Sequence, residues 1–169
     1  DLTTSDIATI AAQRAIEAAN IDAETLDYIM FANNFGDVKK GAIQTDLLPT
    51  LATRVKYNLR IKNPSCVCYD MLFGCPGWVE GVIQAHAFIK AGMAKKCLVI
   101  GAETLSRVVD PHDRDTMIYS DGAGATIIEE TNEAGGILAT NSASYTYDEA
   151  NYLFFGGSYN QDNDQDVRY

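Results

Sequence analysis

The order of apolar and polar positions along the chain predicts alternating helices and strands. A first helix is expected to begin after Thr3, which has capping-box spacing with Asp6, and to end near Asn20. Later apolar residues recur at helical spacing in two segments and as short β-branched or aromatic runs elsewhere. These patterns predict further helices at 45–58 and 76–92, and strands at 28–32, 67–71, 97–101, 122–130 and 136–143.

This alternation sets the predicted fold class. Strands separated by helices form a mainly parallel sheet with helices on both faces, and the late strand at 122–130 is expected to return antiparallel. The intervening segment 103–120 is polar and contains Asp110-Pro111, so we expect a loop with one or two short helical turns there. The prediction is therefore an α/β domain with a mainly parallel mixed sheet.

A Gly-Cys-Pro-Gly corner at 74–77 connects the strand at 67–71 to the helix that follows it. Proline is preorganised for the first helical position, which predicts Pro76 there and Cys75 at the N-cap. Free backbone amides and the positive end of the helix dipole would then surround the sulfur. Such an environment lowers the pKa of a thiol and yields a nucleophilic thiolate where the sulfur is accessible. The alternative is an inert thiol in a helix–strand core.

Cysteine and histidine positions and the lengths of apolar runs bear on metal binding, membrane insertion and disulfides. The four cysteines do not predict a metal site, because His86 falls in a predicted helix and His112 in a loop, neither at ligand spacing. No apolar run reaches about 18 residues, so neither a membrane span nor a signal peptide is predicted. We therefore expect a cytoplasmic protein, and no disulfides. The cysteines are Cys66, Cys68, Cys75 and Cys97.

The cysteine corner resembles the nucleophile turn of the thiolase-like condensing enzymes, and specifically that of the β-ketoacyl-acyl carrier protein synthase III family. In that family an aromatic–Asp strand leads to the cysteine, which is followed by Gly and an aromatic residue, and later motifs come in a fixed order. The resemblance covers about residues 5 to 130. The matching residues are Tyr69-Asp70, Cys75, Gly77-Trp78, the strand CLVIGAE at 97–103, Leu105-Ser106-Arg107, Asp110-Pro111, Asp113-Arg114 and DGAGA at 121–125.

The resemblance implies both a domain and an activity. Residues 1–169 would be the N-terminal thiolase-like domain of a longer protein, without the first strand of that fold and without its C-terminal half. Condensing enzymes of this kind transfer an acyl group from a thioester to the cysteine and then condense it with a malonyl thioester. Cys75 is accordingly the expected catalytic residue in an acyltransferase of fatty acid or polyketide synthesis. The alternative is a noncatalytic thiolase-like subunit or interaction module.

Further site residues follow from the resemblance by motif. Arg114 matches an arginine that contacts the nucleotide end of coenzyme A, and a guanidinium suits adenine and phosphate. A salt bridge to Asp110 or Asp113 is the alternative for that side chain. Leu48 and Leu105 are substrate-pocket candidates, the alternative being ordinary core residues. The chain also departs from the family: Pro76 replaces a small residue, and the segment 114–121, which borders the acyl tunnel in the family, is one residue short.

Charge bears on the expected partners. A formal net charge of −10 argues against nucleic acid. The resemblance implies an acyl-coenzyme A substrate and malonyl-acyl carrier protein, both anionic, with no permanently bound cofactor. Basic residues between 39 and 62 form either a docking patch or an ordinary solvated surface: Lys39, Lys40, Arg54, Lys56, Arg60 and Lys62. A homodimer is also expected, since the strand before the nucleophile commonly lies at the sheet edge in this fold.

Overall fold

The computed structural model describes residues 2–42, 44–154 and 158–160. The elements alternate as the hydrophobic pattern predicts. Three α-helices are present in this part of the chain: α1 (Thr4–Ala19), α2 (Leu51–Asn58) and α3 (Gly77–Lys90). The strands are β1 (Tyr28–Asn33), β2 (Asp37–Val38), β3 (Thr45–Asp46), β4 (Val67–Leu72), β5 (Lys96–Thr104) and β6 (Asp121–Glu129).

The main sheet has the strand order β4-β1-β5-β6. β1 lies at its centre and pairs in parallel with β4 on one side and β5 on the other, whereas β6 pairs antiparallel with β5. Tyr28 is opposite both Val67 and Cys97, so the three parallel strands start at one edge of the sheet and end at the other. The predicted fold class, a mainly parallel mixed sheet with helices on both faces, is confirmed.

Helices α1 and α2 cover one face of the sheet. The predicted capping box starts α1: the Thr3 hydroxyl accepts from the Asp6 amide at 3.4 Å, and the Asp6 carboxylate accepts from the Thr3 amide at 2.8 Å. Asn20, at φ 50°, ends the helix in the left-handed conformation. Beneath these helices lies the larger core cluster, which includes Ala8, Ala12, Leu26, Ile29, Phe31, Leu51, Ala52, Val55, Leu98 and Ile100.

Helix α3 covers the other face and approaches the sheet closely. A Cβ added at Gly81 would stand 2.7 Å from Cγ1 of Val99, and one added at Gly77 would stand 2.7 Å from Cβ of Ala32. Glycine is therefore required at both positions for the helix to rest on β1 and β5. The core on this face is smaller and is centred on Met30, Ala85, Ala94, Cys97 and Val99.

Two predicted elements differ from the structure. The helix expected at 45–58 begins only at Leu51, because residues 45–46 form β3 and Thr50, after Pro49, is the N-cap. The strand expected at 136–143 is not formed: those residues are described without strand pairing, and Leu138 is largely exposed. Its short apolar run has no neighbouring strand to pair with in the described part of the chain, so apolar content alone does not produce a strand.

One or two short helical turns were expected in the segment 103–120, and two are present after the end of β5, at Leu105–Arg107 and Arg114–Ile118. None of the helices in the described residues combines the length and apolar character needed to cross a bilayer.

Candidate functional site

Cys75 lies on the connection between β4 and α3 with its side chain exposed. The corner is closed by the Gly77 amide, which donates to the Gly74 carbonyl at 2.7 Å. The helix begins one residue later than predicted, since Pro76 rather than Cys75 is its N-cap. Pro76 has backbone angles of −79° and 0°, so it already follows the helical path without being counted in the helix. Cys75 therefore directly precedes the cap.

β4 fixes this corner through side chains on its two faces. The Tyr69 hydroxyl donates to Oε1 of Gln84 on α3 at 2.9 Å. The Asp70 carboxylate accepts from the backbone amides of Leu51 and Ala52, both at 2.8 Å, and so caps α2. Burial raises the pKa of Asp70, and these two hydrogen bonds oppose the rise. The aromatic–Asp pair of the motif thus ties the strand to one helix on each face of the sheet.

A cavity of about 500 Å³ opens at the carboxyl ends of the parallel strands, and Cys75 lines it. Ligand sites in open α/β sheets form at this edge. The walls are mainly small or apolar, with a few polar groups between them. The remaining lining residues are Ala32, Asn33, Asn34, Phe73, Gly74, Trp78, Gly101, Ala102, Glu103, Leu105, Ser120, Gly122, Gly124, Ala125 and Thr126.

Among the described residues that line this cavity, Glu103 is the ionisable side chain besides Cys75. Its Oε1 accepts from the backbone amide of Asn34 at 3.1 Å, whereas its Oε2 is buried and has no partner among the described residues. Burial raises the pKa of Glu103, and hydrogen bonds from the amides of Asn34 and Phe35 partly offset the rise. Neither Glu103 nor Asn34 was selected from the sequence as a site residue. Their position at the ends of adjacent parallel strands was the available signal.

The predicted site residues are only partly brought together. Leu105 lines the cavity with Cys75. Leu48 is 79% exposed and is not among the described residues of that wall. Arg114 also lies outside this set, and its side chain is 92% exposed, with Nε 3.5 Å from Oδ1 of Asp115 rather than from Asp110 or Asp113. The roles proposed for Leu48 and Arg114 from the motifs stay predictions.

Of the four cysteines, all in the described part of the chain, Cys75 alone is exposed. Burial raises the pKa of the Cys97 thiol to about 12. A hydrogen bond with Cys66, together with burial, raises the pKa of the Cys68 thiol. Cys66 is itself buried. The other three thiols are therefore poorly placed to act as nucleophiles.

The basic residues between 39 and 62 do not act as one free patch. Arg54 forms ion pairs of 2.7 Å with both Asp37 and Asp46. The Lys56 ammonium donates to the backbone carbonyls of Asn63 and Cys66, each at 2.7 Å. The Arg60 guanidinium lies over the Tyr57 ring, 4.7 Å from its centroid. The intramolecular contacts of Arg54 and Lys56 favour a structural role for these two cations over carrier docking, whereas Arg60 and Tyr57 are both exposed.

The mainly parallel sheet, with Cys75 at the corner between β4 and α3, defines a thiolase-like α/β domain. Comparison with known proteins agrees. Residues 69–146 match the family model for 3-oxoacyl-[acyl-carrier-protein (ACP)] synthase III. The chain is 39% identical over 145 residues to the beta-ketoacyl-[acyl-carrier-protein] synthase III of Neisseria meningitidis serogroup C (strain 053442), a match that covers 85% of this chain and 42% of that relative.

Solved structures give the same result. The crystal structure of 3-oxoacyl-[acyl-carrier-protein] synthase III from Aquifex aeolicus VF5 superposes with a TM-score of 0.68 at 33% identity, over 79% of this chain and 40% of the other. The Thermus thermophilus synthase III superposes with a TM-score of 0.65 at 33% identity, over 79% and 39%. The chain is therefore similar to part of the β-ketoacyl-acyl carrier protein synthase III proteins, and the resemblance inferred from the sequence is confirmed. It spans about 42% of the length of the curated relatives it matches.

Proposed function

We propose that this chain is the nucleophile-bearing, N-terminal domain of a condensing acyltransferase of fatty acid or polyketide synthesis, with Cys75 as the acyl acceptor. The observation that carries the proposal is the exposed Cys75 thiol in a cavity at the carboxyl ends of the sheet. It stands at the position of the family's nucleophile motif, in a chain whose relatives are named as synthases of this kind. Residues 1–169 are proposed to be one such domain of a longer cytoplasmic protein.

The first step is transfer of an acyl group from coenzyme A to Cys75. The thiolate attacks the thioester carbonyl carbon, the new carbon–sulfur bond forms, and the bond to the coenzyme A sulfur breaks as that thiolate leaves. The proton released by Cys75 balances the charge of the departing thiolate. One thioester replaces another, so the exchange is close to neutral in free energy and leaves the acyl group activated. The backbone N–H at the corner is the proposed donor to the oxyanion.

The second step belongs to the complete protein. A malonyl thioester carried by acyl carrier protein loses carbon dioxide, and the resulting carbanion attacks the acyl carbonyl on Cys75, which regenerates the cysteine thiolate and yields a β-ketoacyl thioester. Neither His86 nor His112 is among the described residues that line the Cys75 cavity. The family supplies the groups for this step from its second half, so we expect the 169-residue chain to accept an acyl group without condensing it.

Incubation with butyryl-coenzyme A and malonyl thioesters, followed by intact-mass and peptide mass spectrometry, tests the proposal. An adduct on Cys75 without β-keto product is the expected result. Cys75→Ala should abolish the adduct, whereas the matched variant Cys68→Ala, which changes a half-buried thiol of the preceding strand, should retain it. Wild-type protein that stays unmodified would instead favour the noncatalytic subunit. Steady formation of β-keto thioester would place a condensing site within these residues.

We also propose that the complete protein is a homodimer that pairs through β4. This strand is at the edge of the sheet, and it leaves Val67 and Leu72 exposed. An unpaired apolar edge invites association with another strand, and a two-fold mate provides one without open-ended growth. Analytical ultracentrifugation of the complete protein should show a dimer at micromolar concentration. A monomer across that range, with Val67→Lys sedimenting identically, would refute the proposal.

A further inference from the structure

Two consecutive asparagines follow β1 at the cavity, and they differ in what their side chains do. Asn33 is almost fully buried, its Oδ1 accepts from the Gly36 amide at 3.0 Å, and its side chain also interacts with Asp70. Asn34 is half-buried and lines the cavity. Its Nδ2 lies 3.9 Å from the point where a Cβ would stand at Gly74, the residue before Cys75. The Asn34 carboxamide therefore lies against the cysteine corner.

Glu103 holds this asparagine from the neighbouring strand. Its Oε1 accepts from the Asn34 backbone amide, and its carboxylate also interacts with the Asn34 side chain. Because β1 and β5 are adjacent and parallel, the end of β5 brings Glu103 beside the residue that follows β1. Glu103 therefore restricts where the Asn34 side chain can lie.

The walls around this polar pair are largely apolar, being formed by side chains such as Phe73, Trp78 and Leu105. Glu103 engages part of the Asn34 carboxamide, and water can satisfy its remaining hydrogen-bonding groups while the cavity is open. An acyl group on Cys75 would displace that water, and a plain alkyl chain would offer no hydrogen bond in return. A desolvated polar group without a partner is costly, which is how a site built around one discriminates against analogues that lack the matching oxygen.

We propose that Asn34, positioned by Glu103, is a specificity-determining residue that selects acyl thioesters bearing a hydroxyl or keto oxygen close to the thioester carbonyl over unsubstituted alkyl thioesters. This inference rests on the proposed acylation of Cys75. The oxygen must be close to the carbonyl because Asn34 lies against Gly74, one residue from the sulfur. This proposal needs no additional reactant, because the covalent step is the same exchange of one thioester for another.

Initial rates of Cys75 acylation by 3-hydroxybutyryl-coenzyme A and by butyryl-coenzyme A, followed by mass spectrometry, give the decisive ratio. We expect the hydroxylated thioester to react about tenfold faster or more in the wild type. Asn34→Ala should bring the two rates within about twofold, and the nearly isosteric Asn34→Leu should favour butyryl. Asn58→Ala makes the same change on α2, on the opposite face of the sheet, and should leave the ratio unchanged.

Glu103 variants test the positioning role through the same ratio rather than through stability. Glu103→Gln keeps an oxygen that accepts from the Asn34 amide and should preserve most of the preference, whereas Glu103→Ala should lose it. Urea unfolding, run in parallel, identifies variants that have merely lost their fold.

The outcomes separate the inference from the function on which it rests. Equal rates for both thioesters in the wild type, with the adduct on Cys75, would overturn the inference and leave the acyltransferase proposal standing. A preference that survives in both Asn34 variants would remove Asn34 from the role. If neither thioester forms an adduct in folded wild-type protein, both proposals are overturned together.

Discussion

The two faces of the sheet are built differently. Under α1 and α2, large side chains such as Leu51 and Val55 are completely buried. On α3 the residues buried against the sheet are small, namely Gly77, Gly81 and Ala85, while Trp78 and Val79 remain 38% and 51% exposed. The first face is a closed core, whereas the second combines close backbone contact with larger α3 side chains such as Val82, Phe88 and Ile89 that are only partly buried. Fully buried packing is thus concentrated under α1 and α2, and the cysteine corner leads into α3, which covers the other face.

The largest expected contrast is in thiol reactivity. Cys75 should react with iodoacetamide in the folded protein roughly a hundredfold or more faster than Cys97, because Cys75 is exposed, whereas Cys97 is buried and has a pKa raised to about 12. Peptide mapping after brief alkylation at pH 8 measures the rates. In 6 M urea the difference should largely disappear, which provides the control. Faster labelling of Cys66, Cys68 or Cys97 in folded protein would contradict the nucleophile assignment.

The next contrast is in packing energy. Val55→Ala on α2 removes a fully buried side chain and should lower the free energy of unfolding by about 2 kcal/mol, from lost transfer energy and the cavity left behind. Val79→Ala on α3 deletes the same atoms from a half-exposed position and should cost about 0.5 kcal/mol. Urea denaturation of both variants gives the comparison. Equal losses would show that the α3 face is as closed as the other.

The smallest expected effect is the pH dependence contributed by Glu103. Burial raises the pKa of its carboxyl group in the folded state, so the unfolded chain loses the proton first as pH rises. The stability that the protonated Glu103 carboxyl contributes to the fold is therefore fully present below its unfolded pKa. It is lost as pH rises through the folded pKa. Because the group is partly solvated, the effect should be smaller than that of Val55→Ala.

Comparison with Glu103→Gln isolates this effect, since the variant cannot titrate at that position. Urea midpoints of both proteins, measured from pH 4 to pH 8, should change so that the wild type loses stability relative to the variant as pH rises. If the stability difference between wild type and Glu103→Gln stays constant with pH, or favours the wild type more as pH rises, burial does not disfavour the charge of this carboxyl group.

Local signals were sufficient for much of this fold. The capping box and Asn20 bounded α1, and β-branched or aromatic runs located β1, β4 and β5. The start of α2 was not predictable in this way, because part of its N-terminal capping comes from Asp70, a residue on a later strand. Side chains distant in the sequence supply that information, and periodicity does not contain it.

The residues of the candidate site also differ in whether local sequence or tertiary structure locates them. The Gly-Cys-Pro-Gly corner is a local motif, so the position of Cys75 between strand and helix was predictable to within one residue. Asn34 and Glu103 are 69 positions apart and meet only because β1 and β5 are adjacent in the sheet. Strand order is a tertiary property, and without it neither residue stands out from other polar residues at strand ends.

The contact between Asp70 and α2 has a consequence for how the molecule opens. An eight-residue helix is too short to persist alone in water, so α2 depends on its partners for stability. Two of its first amides are held by a strand that ends three residues before Cys75. Release of β4 would therefore also expose the amides of Leu51 and Ala52 to deuterium. Their exchange rates, read by NMR, report local unfolding of the cysteine corner from the opposite face of the sheet.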